Sequence, residues 1–159
     1  MALKGISESL AARGIQSDLK LLQVAVAGAP VQLESVTGYA RLASNSVTHV
    51  LDWEVSATGI TAAEIILGVE AQKTKVNEPA QLRPLAPGDT FLTTYLASGS
   101  DTGALSGAIA PNTPLSVDPA TGKIRVKQAG DQEFFRLAAD GGNLFDSLGA
   151  VWVEVMALK

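Results

Sequence analysis

His49 is the single histidine of the chain, and it is the first residue to test for chemistry. A metal site or a nucleophile–base pair needs partners near the imidazole, and the sequence offers it neither cysteine nor a second histidine. His49 shares its parity with Leu51 and Trp53 in the run Val47 to Val55, so a buried structural role is expected. Asp52 and Glu54 fall on the other parity. Two carboxylates on one strand face could do acid–base work, but a solvated face explains them with fewer assumptions.

Other patterns give way in the same manner. Asp140-Gly141-Gly142-Asn143, with Asp146 nearby, could turn oxygens towards calcium, yet the spacing lacks the further ligands and terminal glutamate of a calcium loop. A turn is expected there. Gly122-Lys123 has the end of a phosphate loop without its upstream glycine, and Ile124 stands where a magnesium-binding hydroxyl belongs. Gly99, Gly103 and Gly107 are evenly spaced, but Ser98, Ser100, Asp101 and Thr102 around them mark an exposed loop. Trp53 and Trp152 could stack on sugars. On separate strands they are expected to anchor a core or an interface. No catalytic residue, metal ligand set or cofactor site is expected.

Composition points the same way. The 159 residues suit one domain that buries roughly two-thirds of its unfolded surface. Hydrophobic residues are 47% and aromatic residues 5%, so the core must be built from Val, Leu, Ile and Ala. Charged residues are 18%, below the usual ~25%. With a mean hydropathy of +0.22, part of the apolar surface is expected to be buried against other chains. The net charge is -4, and the bases are scattered rather than clustered, which argues against a nucleic-acid partner. Without cysteine there are no disulfides or thiolate metal sites. The polar-interrupted start MALKGISESLAARGIQSDLK reads as neither signal peptide nor membrane span, so synthesis in a cytoplasm and no membrane partner are expected.

The elements that would position any site are mostly strands. Residues 1–20 differ in texture and read as an N-terminal arm. Ser7 can cap a short helical turn through Leu10 to Arg13, with Gly14 ending it. Such a piece is unstable alone and must dock or stay mobile. From residue 21 to 159 alternation dominates: Leu22, Val24 and Val26, then Val31 and Leu33, then the run 47–55. Residues 61–72 fit a helix by the capping pair Thr61 and Glu64, and a strand by Ile65, Leu67 and Val69. Pro79, Pro84 and Pro87 forbid a continuous central strand between Asn77 and Asp89. Strands follow at 90–97, 134–138 and 150–156. The expected fold is mainly β: a single small β-barrel or β-sandwich with an N-terminal arm and at most one or two short helices.

The most legible stretch is Pro114-Leu115-Ser116-Val117-Asp118-Pro119-Ala120-Thr121-Gly122-Lys123-Ile124-Arg125-Val126. Two alternating runs flank a turn in which proline presets φ, aspartate bonds its own backbone and glycine accepts positive φ. It sits in a longer order: Gly88-Asp89-Thr90-Phe91 opening a strand, Ala108-Ile109-Ala110-Pro111-Asn112-Thr113 before the hairpin, Phe134-Phe135-Arg136-Leu137-Ala138, and Gly149-Ala150-Val151-Trp152-Val153-Glu154-Val155 at the close. From roughly Pro87 to Met156 this resembles the decoration, or cement, proteins on the heads of tailed bacteriophages. Residues 1–86 carry no such likeness.

The resemblance implies a small tulip-like β-barrel, bound as a trimer on the outer surface of the virion, where it clamps neighbouring major capsid subunits after expansion. A missing active site is then expected. The arm residues Leu3, Ile6, Leu10 and Ile15 are the candidate shell contacts, since such an arm can order on binding. An exposed edge strand that accepts a capsid strand is the second mechanism. Two other classes stay open: a carbohydrate-binding or head-fibre module using Trp53, Trp152, Tyr39 or Tyr95, and a hydrolase using Asp52 and Glu54.

Overall fold

The computed structural model describes residues 6–52, 76–105, 109–138, 144–145 and 151–158. The alternating runs do form a mainly β protein. One helical turn, α1 (Glu8–Ala12), is followed in the described residues by β1 (Lys20–Leu21), β2 (Pro30–Leu33), β3 (Tyr39–Leu42), β4 (His49–Leu51), β5 (Glu78–Pro79), β6 (Leu82–Pro84), β7 (Thr90–Thr93), β8 (Pro114–Val117), β9 (Ile124–Val126), β10 (Phe135–Leu137), β11 (Leu144–Phe145) and β12 (Val151–Ala157).

The first sheet runs β5-β1-β3-β2-β4-β6. Its two edges, β5 and β6, are the two halves of one segment, 78–84. The same segment pairs with β1 through Lys20↔Pro79 and with β4 through Leu51↔Leu82. A bridge between Gln16 and Leu82 extends the contact. The sheet therefore closes on itself. Pro79 and Pro84 donate no ladder hydrogen bond and are the last residues of β5 and β6, a place that tolerates them. Closure also removes the free edges that invite unwanted pairing. Inside lie Leu21, Ala25, Ala29, Val31, Ala40, Leu51, Ala80 and Leu82. Half of these are alanine, as a narrow ring requires.

The second sheet runs β11-β12-β10-β8-β9, with β7 also on β12. The chain beyond β7 crosses to the opposite edge: Ile124 N–H donates to the Tyr95 carbonyl (3.0 Å), and Ala97 N–H to the Ile124 carbonyl (2.8 Å). Segment 90–97 thus serves both edges, as 78–84 does in the first sheet. The kink is set by Thr93, whose Oγ1 accepts from Tyr95 N–H and donates to the Gly28 carbonyl, both at 2.9 Å. Gly28 has φ 87°, and a Cβ there would lie 2.5 Å from Thr93 Oγ1. Only glycine lets the two sheets meet so closely at this point.

The main core gathers Phe91, Leu96, Leu115, Val117, Ile124, Phe134, Phe135, Leu137, Val153 and Val155 from the second sheet and its flanks. Leu10, Val47 and Val50 join them from the other side. β8 and β9 pair as the sequence predicts, with Leu115↔Val126 and Val117↔Ile124 in register. Asp118 accepts from Ala120 N–H (3.2 Å) and Thr121 Oγ1 (2.7 Å), and Gly122 takes φ 72°. A Cβ on Gly122 would stand 2.8 Å from Leu42 Cβ, so the hairpin turn rests on the first sheet. The careful punctuation of this hairpin positions a contact between sheets.

Several expectations change. Residues 22–26 do not continue a strand: β1 stops at Leu21, and Leu22 and Val24 are exposed. The run 47–55 is not wet on one face within the described part. His49, Val50 and Leu51 are all buried, with Leu51 in the small core and Val50 in the main one, and Asp52 is buried beside them. The strand expected over 90–97 divides after Thr93. Residues 61–72 lie outside the described residues, as do Glu54 and the Asp140–Asn143 stretch.

Candidate functional site

Two features of the described surface bear on function: the seat of the N-terminal segment and the apolar residues of the first sheet. The helical turn forms as its sequence predicts. Ser7 caps α1 by accepting from Leu10 N–H (3.4 Å), and Gly14 follows with φ 71°. Leu10, on the inner side of the turn, is fully buried in the main core, and Ile6 packs against that core half-buried. Of the four candidate shell contacts, Ile15 is exposed, Leu10 is enclosed by its own chain, Ile6 is between, and Leu3 lies outside the described residues.

Charged groups hold the segment down. Asp89, fully buried, accepts from Ser9 Oγ (2.7 Å), from Ala86 N–H (2.7 Å) and from both Nη atoms of Arg13. Burial alone would raise the Asp89 carboxyl, but Arg13, Ser9 and the Ala86 amide outweigh it and hold it below its ordinary 3.8. Arg83 donates Nε (2.9 Å) and Nη2 (2.7 Å) to the buried Asp52, and Nη1 to the Ala11 carbonyl at the end of α1 (3.1 Å). The Asp52 expected on a wet face is therefore half of a buried ion pair. Sequence reasoning missed Asp89, Arg13 and Arg83. The partners stand 31 to 76 residues apart, and no local pattern announces them.

His49 takes the structural role expected of it. Its Nδ1 lies 2.8 Å from Thr48 Oγ1 and its Nε2 3.0 Å from Gln16 Oε1. Burial pushes the imidazole below its ordinary 6.5, which favours the neutral ring. The folded state then binds this proton less readily than the unfolded one. The stability it contributes is complete above 6.5 and is lost as pH falls through the lowered folded value. Urea unfolding across that range should show this slope, and His49→Gln should flatten it.

Of the aromatic residues weighed for sugar stacking, Tyr95 packs against the small core and donates its O–H to the Thr121 carbonyl (2.9 Å). Tyr39 is half-buried in β3, Trp53 lies outside the described residues, and Trp152 is placed by its backbone in β12. Lys123, from the Gly-Lys pair, binds Asp101 (3.0 Å). Among the described residues, no three His, Cys, Asp or Glu side chains converge on one point. No described helix is long and apolar enough to cross a membrane.

Among the described residues, the exposed large apolar side chains are Ile15, Leu22, Val24, Leu33, Val36 and Val76. All belong to the first sheet and its approaches, and the described part of the second sheet contributes none. Asn77 N–H donates to the Leu21 carbonyl (2.8 Å), which sets the residue after Val76 against the end of β1. Lys20 N–H donates to the Gly38 carbonyl (2.9 Å), which sets the Val36 turn alongside β1. Val36 is the most open of the six, at 62% exposure. An exposed edge strand is harder to find. Segment 78–84 pairs on both sides, β9 is covered by 95–97, and the start of β7 is capped by Ser7 N–H to the Thr90 carbonyl (2.9 Å).

Comparison with protein-family models, with curated proteins and with solved structures finds no match to this chain.

Proposed function

We propose that the protein is a structural virion protein of a tailed phage. In this reading it binds the outside of the head as a homo-trimer and stabilises the expanded shell by clamping neighbouring major capsid subunits. The observation that carries it is the one-sided apolar surface: every exposed large apolar side chain of the described residues lies on the first sheet or its approaches. Apolar surface gathered on one part of a protein marks a macromolecular contact. The two sheets meet closely at Gly28 and Gly122, which holds that surface on one body.

The sequence order from Pro87 to Met156 resembles that of decoration proteins, and the β8–β9 hairpin within it is paired in register. Weak contacts of this kind become strong when linked copies meet a repeating lattice. A net charge of -4 suits the outside of a head better than its DNA-filled interior. The shell contact moves from the arm as a whole to Ile15 and the first sheet, because Leu10 is enclosed by its own body.

The test is co-sedimentation of the purified protein with expanded and unexpanded heads stripped of their own decoration. Saturable binding to expanded heads alone is expected. Val24→Asp and Val36→Asp should each weaken it about tenfold without loss of fold, since each buries a charge at the contact. Absence of binding to either head by well-folded protein would overturn the proposal and favour a glycan-binding module.

A further inference from the structure

We propose that residues 7–16 form a detachable strap, closed on the body by the Asp89 carboxylate, and that its opening bares an apolar socket while both sheets stay folded. The inference is independent of the capsid reading.

The strap owes its order to its seat. A helix of five residues has no stability of its own. Nearly everything that fixes it is a long-range contact. Ser7 and Thr90 exchange two hydrogen bonds, of 2.9 and 3.2 Å. Gln16 and Leu82 pair their backbones at 2.7 and 2.8 Å. Arg13 reaches the Pro84 carbonyl (3.4 Å) as well as Asp89, and Arg83 reaches the far end of the helix. Leu10 is the one side chain among residues 7–16 that enters the main core.

The seat, by contrast, is held without the strap. The turn that carries Asp89 is tied to β12 by Gly88 N–H to the Ala157 carbonyl (2.9 Å) and by Ala157 N–H to the Asp89 carbonyl (2.8 Å). Removing the strap leaves these bonds intact. It leaves the Asp89 side chain with the Ala86 amide and water, and the main core without Leu10.

Asp89 is the point of control because the strap's donors converge on it. The charged groups on the elements around it are Glu8 on α1, Arg13 at its C-cap, Arg83 on β6 with its partner Asp52, and Glu154 on β12. Of these charged groups, among the described residues, Arg13 alone touches the carboxylate. A protonated Asp89 offers Arg13 and Ser9 a poorer acceptor. Closure is therefore complete above the ordinary carboxyl value of 3.8 and weakens as pH falls through the lowered folded value.

Hydrogen exchange of the full-length protein, with intrinsic rates divided out, reads this directly. As pH falls, the Leu10, Ala11 and Arg13 amides should lose protection before those of β8, β10 and β12. In Asp89→Asn the same three amides should exchange about tenfold to a hundredfold faster at neutral pH, and the acid step should vanish. Trypsin cleavage after Arg13 should rise by a similar factor, while cleavage after Lys20, Lys123, Arg125 and Arg136 does not. If Asp89→Asn does not fold, Ser9→Ala removes one donor, keeps the Arg13 pair, and should speed the exchange severalfold. Loss of protection in strap and strands together would sink the proposal. So would a strap as well protected in Asp89→Asn or Ser9→Ala as in the parent.

Discussion

Asp52→Ala is expected to lower the free energy of unfolding by about 3–5 kcal/mol, among the largest effects of any single change in this protein. Asp52 sits at the end of β4, and its carboxylate receives two bonds from Arg83 on the neighbouring β6. Both side chains are close to fully buried, at 7% and 11% exposure. Removing the carboxylate leaves a guanidinium in that place whose remaining hydrogen bonds among the described residues run to the Leu10 and Ala11 carbonyls, at 3.5 and 3.1 Å. Breaking such a pair costs more than the pair contributes, because the remaining charge stays desolvated.

The double variant Asp52→Leu with Arg83→Met separates these effects. With both charges gone, its loss should be smaller than that of Asp52→Ala alone, a non-additivity that urea unfolding of the variants would show. Equal or greater loss in the double variant would mean that the pair contributes strongly of itself. Arg83→Met alone should also raise exchange at Ala11, since it withdraws the donor from the end of α1.

What the sequence disclosed and what it hid divide along the range of the interactions involved. The β8–β9 hairpin was legible because Asp118, Pro119, Thr121 and Gly122 act on their own backbone within a few residues. The Ser7 cap was legible for the same reason. Alternation located β2, β4, β7 and β10 but could not say where each stopped. Leu22 and Val24 continue the parity of a strand, yet the chain turns away after Leu21, and both are exposed.

The prolines of 77–89 excluded a continuous central strand, and the segment forms two short strands, β5 and β6, instead. That the segment joins β1 to β4 depends on partners some 30 and 60 residues away. Asp52 looked like a solvated carboxylate because Arg83 lies 31 residues further on. Of the candidate contact residues, Ile15 is exposed and Leu10 is buried in the main core. Apolar character at a helix terminus does not reveal whether the covering surface is a partner or the chain itself.

The second large effect is expected at Phe91. Phe91→Ala should cost about 3–5 kcal/mol, the usual range for emptying a fully enclosed phenyl site. Phe91 lies on β7 opposite Val155, is fully buried, and meets Phe135 edge to face, with ring centroids 5.9 Å apart and planes at 81°. The cost should fall at the high end because the neighbours cannot refill the space. Val117, Val153, Val155 and Ala157 are short and set on paired strands, and β12 is held on both sides by β7 and β10.

The position also matters for closure, since β7 begins the segment 90–97 that crosses to β9. Phe91→Leu keeps most of the volume and should cost less than about 1.5 kcal/mol. Combined with Phe135→Leu it should show a coupling of about 0.5–1.5 kcal/mol from the lost ring pair. Thermal and urea unfolding of the four proteins in that cycle would measure it. A Phe91→Ala variant within 1 kcal/mol of the parent would require the core to collapse around the gap, which strands pinned on both sides are poorly placed to do.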